Sequence, residues 1–481
     1  MKKLPSYSTQ SLLALGLATF SLSQVYATDF VWDGPATGNW STNTNWDTDT
    51  APDNTGTITI GSGNVVTYDS PGPSDTFLSN ATLNLDGELA RAGVLRLNGS
   101  TINVGSTGVI SGGFRDLNNA TLNFQDGAQF TASNWEHKGT NVFDFTLSSS
   151  GFTALGPGTL RSSGAVSTTY RADLASYGGA TQDVTLVDFG SDATGLTNAT
   201  FTGGVQYTLA IDNTGSNAAR LYWDDANDAV KLSINETVTW TGGGANNLLS
   251  NGDNWDAADG KGPINYDTLL INNGDTVAHG NNLPFRTTID LVGSELTTDG
   301  AVIRLNNSTI NVDSTSTLSG AFWDLDGASI VFEDGAQATM TSWEQKDLNS
   351  FTYQLGAYDF TTLTPDNFLI GNGGLTGDIA NATYVADFSN FANWSLSNLG
   401  SNSITLMDFA TDFASMDNTK FQSATFDYLN MGANIEDAAF AWDDSLEAII
   451  LTFNINAVPE PSSSALLGLG GLALALRRRR S

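Results

Sequence analysis

Short segments of alternating apolar and polar residues recur along the first half of the chain. Ala81–Leu85, Ser100–Val104 and Ala120–Phe124 each place apolar side chains on both sides of a polar one. This period of two is typical of β-strands with one buried face, and glycine-rich turns separate the segments. The pattern predicts an all-β fold with inward Leu83, Ile102 and Leu122 and outward Asn84, Asn103 and Asn123.

The same strands return at steps of 19 to 21 residues, and the second half of the chain repeats them at Thr288–Leu291, Thr309–Val312 and Ser329–Phe332. A strand that recurs about every 20 residues is typical of a β-solenoid, in which each coil stacks on the previous one. Antiparallel β-sandwiches built from regular hairpins give a similar pattern. The period therefore favours a solenoid and leaves the sandwich as an alternative.

The chain is also a tandem duplication. Residues 97–138 align without gaps to residues 305–346, and 24 of the 42 positions are identical. Corresponding residues are found beyond this alignment, since Trp32 corresponds to Trp240 and Trp223 corresponds to Trp442. We therefore predict two β-rich modules, residues 28–235 (module 1) and residues 236–456 (module 2, a duplicate of module 1).

Different segments flank the regular strands in each module. Phe30–Tyr68 and Val238–Val277 are rich in Trp and Asn, and we interpret them as N-terminal caps, because exposed solenoid ends would pair with other chains. Residues 181–234 and 403–453 contain longer strands with Trp-Asp-Asp turns. They are predicted to be further coils or small β-sandwich caps.

The first 27 residues have the order of a secretory signal peptide. Lys2 and Lys3 precede an apolar stretch from Ser11 to Leu22, and compact residues precede a cleavage site after Ala27. The apolar stretch is shorter than the roughly 20 residues that a membrane-spanning helix needs. The sequence therefore predicts export.

The last residues, 457–481, combine three parts. Pro459, Glu460 and Pro461 precede an apolar segment from Ala465 to Leu476, and a basic cluster of Arg477, Arg478, Arg479 and Arg480 follows. The arginines would keep that end in the cytoplasm while the short apolar segment pauses in the inner membrane. We expect this membrane association to be transient.

This tail resembles the PEP-CTERM sorting signals. The resemblance implies that an exosortase, a membrane protease-transpeptidase, recognises the Pro-Glu-Pro motif and removes the tail. It also implies a Gram-negative bacterium that makes extracellular polysaccharide, with the protein at the cell surface or in the extracellular matrix. The Trp-Asn start of each module resembles extracellular β-helix modules of PEP-CTERM proteins, which implies a fold and no particular activity.

Charge and composition exclude several kinds of chemistry. Outside the two terminal segments, 13 basic and 50 acidic residues remain, a net charge of −37. Such a chain lacks the clustered Lys and Arg that bind nucleic acid. The absence of cysteine excludes disulfides and thiol chemistry. The basic residues look scattered along the sequence, with Arg96 and Arg304 at matching positions.

One short constellation suggests sugar binding. Trp135, Glu136 and Lys138 recur as Trp343, Glu344 and Lys346, and an indole face beside polar groups suits a sugar ring. The alternative is a tryptophan packed over the next coil beside a solvated charge pair. Because Gln345 replaces His137 in the second copy, a histidine base shared by both copies is disfavoured.

No catalytic residues and no cofactor are predicted. Calcium is the one metal considered, because Asp224, Asp225 and Asp228 cluster in one turn, although the spacing does not fit an EF-hand. Ordinary acidic turns explain the same pattern.

The sequence favours a non-enzymatic structural protein of the cell surface or extracellular matrix, associated with exopolysaccharide. One alternative is a polysaccharide lyase or hydrolase on a β-helix, which would need a groove where Lys or Arg meets carboxylates. The other alternative is an adhesin that binds protein partners through an apolar patch or an unpaired sheet edge.

Overall fold

The computed structural model of the chain describes residues 28–456 apart from 54, 70–75, 92–93, 180, 204–205, 280–285, 301, 357–359, 371–380, 392–398 and 413–415. The predicted signal peptide (1–27) and the sorting tail (457–481) lie outside the described residues.

Module 1 consists of strands, one short α-helix and one 3₁₀ turn at Asn43–Asn45. In chain order its elements are β1 (Asp29–Val31), β2 (Thr37–Asn39), β3 (Gly56–Ile60), β4 (Val65–Thr67), β5 (Thr76–Ser79), β6 (Ala81–Leu85), β7 (Glu88–Ala90), β8 (Val94–Asn98), β9 (Thr101–Val104), β10 (Val109–Asn118), β11 (Thr121–Gln125), β12 (Gln129–Thr146), β13 (Thr159–Asp173), β14 (Gln182–Asp188), β15 (Ser191–Asp192), α1 (Asn198–Thr202), β16 (Tyr207–Asp212), β17 (Ala219–Asp224) and β18 (Ala229–Ile234).

Module 2 repeats this plan, with its own 3₁₀ turn at Gly252–Asn254. Its elements are β19 (Thr237–Thr239), β20 (Thr268–Ile271), β21 (Thr276–His279), β22 (Thr288–Leu291), β23 (Glu295–Thr298), β24 (Val302–Asn306), β25 (Thr309–Val312), β26 (Thr317–Asp326), β27 (Ser329–Glu333), β28 (Gln337–Asp347), β29 (Ser350–Gln354), β30 (Asn367–Ile370), β31 (Thr383–Asp387), β32 (Gly400–Asp408), β33 (Thr411–Asp412), α2 (Asn418–Phe421), β34 (Thr425–Leu429), β35 (Ile435–Asp443) and β36 (Ala448–Ile455).

Strands about 20 residues apart pair in parallel. In module 2, one ladder runs β19-β20-β22-β25-β27-β29-β31-β34 and a second runs β21-β23-β26-β28-β30-β33, with β24 beside β26. Module 1 has the same two ladders, and its long strand β12 belongs to both, pairing with β10 in its first half and with β11 in its second. The all-β prediction is confirmed, and the parallel pairing is the arrangement that stacked coils produce.

The alternation seen in the sequence decides which side chains lie inside. Leu83, Ile102 and Leu122 pair in register on β6, β9 and β11 and are fully buried. Their polar neighbours point outward and form an amide ladder, in which Asn103 Nδ2 donates to Asn84 Oδ1 at 2.8 Å and Asn123 Nδ2 donates to Asn103 Oδ1 at 2.7 Å. The hydrogen bonds join successive coils and help to hold their register.

The tryptophan-rich segments form the first coil of each module. Trp32 and Trp46 pack edge to face with ring centroids 5.2 Å apart, and Trp240 and Trp255 repeat the same contact at 5.2 Å. Each second indole donates from Nε1 to a backbone carbonyl, that of Trp40 or of Leu249. These rings close one end of each buried stack.

A three-stranded antiparallel sheet ends each module, β14-β18-β17 in module 1 and β32-β36-β35 in module 2. We call these the closing sheets. Apart from isolated bridges, antiparallel pairing in the described residues is confined to them. The buried side chains form two hydrophobic clusters, from Phe30 to Ile234 and from Val238 to Ile455. Each module therefore has its own core.

Candidate functional site

The two candidate sugar-stacking tryptophans lie in the core. Trp135 and Trp343 are 0% exposed. Trp135 packs against Phe130 and Phe143, and Trp343 occupies the same place beside Phe351. The prediction that these indoles stack on a sugar is wrong, because neither ring presents a face to solvent.

His137 and its counterpart Gln345 also point inward, and they form hydrogen bonds with different neighbouring side chains. Trp135 Nε1 donates to His137 Nε2 at 2.5 Å, while the hydroxyl of Tyr170 has no hydrogen-bond partner. In module 2, Gln345 hydrogen-bonds the hydroxyl of Tyr384 at 3.2 Å, while Trp343 Nε1 has no partner. At this position the His-to-Gln exchange decides which buried group lacks a hydrogen bond, the Tyr170 hydroxyl in module 1 or Trp343 Nε1 in module 2.

Burial lowers the pKa of His137 to about 3. The imidazole is therefore neutral at physiological pH, and Nε2 accepts a hydrogen bond from the indole N–H. This is the environment of a packed core histidine, since its ring stacks on Phe143 at 5.1 Å and contacts Thr168 through Nδ1.

The charged members of the constellation differ in exposure. Glu136 is half-buried and Lys138 is exposed, whereas Glu344 is 7% exposed. The side chain of Lys346 lies outside the described part of the chain. Glu136 and Lys138 point outward because they alternate with inward Trp135 and His137 along β12.

The outer face of β8, β10, β12 and β13 gathers basic residues that the sequence left scattered. Arg96 and Arg115 are direct register partners on neighbouring parallel strands, and Glu136 is the register partner of Arg161. Five of the eight Lys and Arg residues of module 1 lie on these four strands, namely Arg96, Arg115, Lys138, Arg161 and Arg171. We call Arg96, Arg161 and Lys138 the basic face of module 1.

The matching face of module 2 carries an aromatic residue that sequence reasoning missed. Arg304, the counterpart of Arg96, is exposed and is the register partner of Trp323, the counterpart of Arg115. Trp323 is 39% exposed, and its Nε1 donates to Ser342 Oγ on the next strand at 2.6 Å. We call Arg304 and Trp323 the Arg–Trp pair.

The acidic turn considered for calcium is satisfied by protein donors. Lys231 Nζ lies 2.6 Å from Asp224, and this contact is the main cause that lowers the pKa of Asp224 to about 2. Asp225 accepts from the backbone of Asn198, and Asp228 accepts from the backbone of Asp192. The described residues contain no group of three or more His, Asp or Glu side chains placed to hold a metal ion.

A buried charge network joins the two modules. Arg220, on the closing sheet of module 1, is 3% exposed and donates from Nη1 and Nη2 to Asp267 of module 2 at 3.0 and 2.5 Å. Its Nε lies 3.3 Å from Asp259, and Glu236 completes the network at 3.8 Å. Burial alone would lower the pKa of Arg220, but these carboxylates outweigh burial and raise it.

The network is specific to the place where the modules meet. The strand register gives Arg220 the counterpart Ala439 at the end of module 2. Asp267 has the counterpart Gly56 at the start of module 1. The outer ends therefore lack the charges that would join further copies in the same way.

Comparison with known proteins finds a match for the C-terminal segment of the chain. Residues 457–480 match the family described as the PEP-CTERM protein-sorting motif. No curated protein and no solved structure matches the chain. Within the described residues, no helix is long and apolar enough to cross a membrane.

The all-β chain with this motif is a substrate of the exosortase sorting system. It is accordingly an exported, cell-surface protein, and Pro459, Glu460 and Pro461 lie within the matched segment.

Proposed function

We propose that the protein is a non-enzymatic structural component of the cell surface or extracellular matrix of a Gram-negative bacterium, and that it binds exopolysaccharide. The tail would hold the chain briefly at the inner membrane before exosortase processing. The observation that carries the proposal is the buried network at the junction, which joins two copies of one module into a single body.

The energetics of the Arg220 network support a fixed junction. A buried guanidinium is stable only when it is paired, and removing one partner of such a pair costs about 3–5 kcal/mol. The two hydrogen bonds that Arg220 donates to Asp267, which is 0% exposed, fix the orientation of the guanidinium across the junction. The relative position of the two modules is therefore maintained.

A fixed junction suits binding to a long polymer. When one face binds, the second face is held near the same polymer and its binding becomes intramolecular. Weak contacts on each module then add up to retention on the polysaccharide, without any need for a catalytic step.

The test is size-exclusion chromatography with light scattering on purified protein mixed with the host's extracellular polysaccharide, followed over time. We expect the protein to co-elute with the polymer while the polymer mass stays constant. A falling polymer mass would show a lyase or hydrolase instead, and separate elution at all polymer concentrations would refute the binding role.

A further inference from the structure

The proposed function leaves open which polysaccharide binds and where. Building on that function, we propose that each module binds a neutral, hydroxyl-rich polysaccharide in a polar groove on its outer face. The polymer lies across successive coils, along the direction in which they stack.

Each module has a groove over the strands that carry the outward polar row. The groove of module 1 has a volume of about 310 Å³, and the groove of module 2 has a volume of about 320 Å³. The outward side chains that line the module 1 groove include Asn84, Asn103, Asn123, Gln125 and Thr146. Those at the equivalent register positions of the module 2 groove are Asp290, Asn311, Val331, Glu333 and Gln354. Both copies of the module therefore have a groove in the same place.

Side-chain hydrogen bonds hold the polar groups of each groove in position. In module 2, Asn311 Nδ2 donates to Asp290 Oδ1 at 2.6 Å, and in module 1 the amide ladder holds Asn84 and Asn103 in the same way. An amide nitrogen carries two hydrogens, and an amide or carboxylate oxygen has two lone pairs. Each group can therefore also bond a sugar hydroxyl. Because the side chains are already ordered, binding costs little side-chain entropy.

Other lining groups are available to a ligand. Within the described residues, the side chains of Gln125 and Gln354 form no hydrogen bond, and Oδ1 of Asn123 has no donor. A sugar hydroxyl both donates and accepts, so it suits all three. In module 2, Val331 and the 46% exposed Val292 add apolar surface, on which the C–H groups of a sugar ring can pack.

The charge of the grooves favours a neutral polymer. No Lys or Arg is found among the described residues that line either groove, and the module 2 groove contains Asp290, Asp313 and Glu333. Carboxylates accept strong hydrogen bonds from hydroxyl groups, but they repel the carboxylate or sulfate groups of an acidic polymer. The 13 basic and 50 acidic residues between the terminal segments add to this repulsion.

The register of the strands sets the direction of the bound polymer. Asp290, Asn311 and Val331 are direct register partners on β22, β25 and β27, so their side chains form a row along the stacking direction. Parallel strands lie about 4.8 Å apart, which is comparable with the length of one pyranose unit. A polymer along this row meets equivalent side chains on successive coils, whereas a monosaccharide contacts only part of the groove.

The test titrates the purified protein with neutral and acidic fractions of the host's extracellular polysaccharide, separated by anion exchange, in isothermal titration calorimetry. The first groove variant is Gln125→Ala/Gln354→Ala, which removes one glutamine side chain from each groove. The second is Val292→Ser, which removes exposed apolar surface. The matched control is Gln129→Ala/Gln337→Ala, because these two glutamines are exposed, occupy equivalent positions and lie on the other ladder. Equal thermal unfolding midpoints would show that the variants are folded.

We expect the wild type to bind the neutral fraction, and to bind the acidic fraction at least tenfold more weakly. Gln125→Ala/Gln354→Ala should weaken binding of the neutral fraction at least tenfold, because each lost hydrogen bond costs about three- to tenfold and both grooves hold one polymer. Val292→Ser should weaken it about two- to fivefold, and the control variant should bind like the wild type. Monosaccharides obtained by hydrolysis of the neutral fraction should bind at least tenfold more weakly than the polymer, with concentrations expressed in sugar units.

Three results would overturn the inference. If both groove variants bind like the control, the site is wrong, and co-elution with unfractionated host polysaccharide would still support the proposed function. If the acidic fraction binds as tightly as the neutral one, the ligand class is wrong. If the monosaccharides bind as tightly as the polymer, the arrangement across the coils is wrong. Loss of all binding to host polysaccharide refutes the proposed function itself, so the two failures are distinguishable.

Discussion

Acidification should destabilise module 1 through His137, and replacing this residue by its counterpart from module 2 should remove the effect. The folded protein keeps the imidazole neutral, with its pKa lowered from 6.5 to about 3 by burial. The unfolded chain binds a proton below its ordinary pKa, so between these two values the unfolded state holds more protons. Stability therefore falls as pH falls from about 6.5 toward about 3.

The magnitude follows from the two pKa values. At pH 5 the unfolded histidine is almost fully protonated and the folded one is almost fully neutral. Linkage then gives a loss of about 2 kcal/mol relative to pH 7.5, where neither state is protonated. His279 is also buried, with its pKa lowered to about 4, and it adds a separate loss in module 2.

The Gln variant isolates the contribution of His137. In His137→Gln, the new amide can hydrogen-bond the unpaired hydroxyl of Tyr170, as Gln345 does with Tyr384, while Trp135 Nε1 loses its acceptor. One buried hydrogen bond replaces another, so we expect stability at pH 7.5 to change by no more than about 1 kcal/mol. The reciprocal variant Gln345→His should add the same acid sensitivity to module 2.

Urea unfolding followed by tryptophan fluorescence at pH 7.5 and pH 5 measures these free energies. The wild type should lose about 2 kcal/mol more than His137→Gln between the two pH values. Equal losses in the two proteins would refute the reasoning, because they would mean that His137 has the same pKa in the folded and unfolded states.

Three further predictions concern the junction, the amide ladder and the tail. Arg220→Ala should destabilise the protein by about 3–5 kcal/mol and split thermal unfolding into two calorimetric transitions, whereas Arg171→Ala should cost at most about 1 kcal/mol. A single transition of unchanged midpoint in Arg220→Ala would contradict the role of the network. Asn103→Ala removes two inter-coil hydrogen bonds and should cost about 1–3 kcal/mol in urea unfolding, and an unchanged midpoint would show that the ladder does not stabilise the coils. Glu460→Ala should leave an unprocessed chain of higher apparent mass in the membrane fraction of the host, and normal processing on immunoblots would argue against recognition of the Pro-Glu-Pro motif.

The sequence predicted the regular part of the fold because the relevant physics is local. Alternation alone decides that Leu83 points inward and Asn84 points outward, and the step of about 20 residues decides which strands stack. Both predictions are confirmed by the buried leucine and the register of β6 with β9.

The sequence left both a sugar-stacking and a packed Trp135 open, because irregular strands break the alternation. Along β12, Ala132 and Trp135 both point inward although they are three residues apart, and the neighbouring β10 shifts register after Gly112. Because such an irregularity interrupts the inward–outward alternation, the sequence could not decide between an inward and an outward Trp135. Trp323 could have been found, since it aligns with Arg115 and follows the inward Phe322.

The charge network at the junction also could not be predicted from the sequence. Arg220 and Asp267 are 47 residues apart, and nothing local distinguishes them from other charged residues of an acidic chain. Only the register of the closing sheet against the first coil of module 2 brings them together. The counterparts of these two residues, Ala439 and Gly56, carry no charge, so the network is specific to the place where the modules meet.

The most direct test of the central claim is fractionation of the host in the presence and absence of its extracellular polysaccharide. The protein would be followed by immunoblotting in the cell-surface, polysaccharide and medium fractions of a wild-type strain and of a strain that cannot make the polymer. We expect the protein to stay with the polymer in the wild type and to be released into the medium when the polymer is missing. An unchanged distribution in the two strains would contradict it.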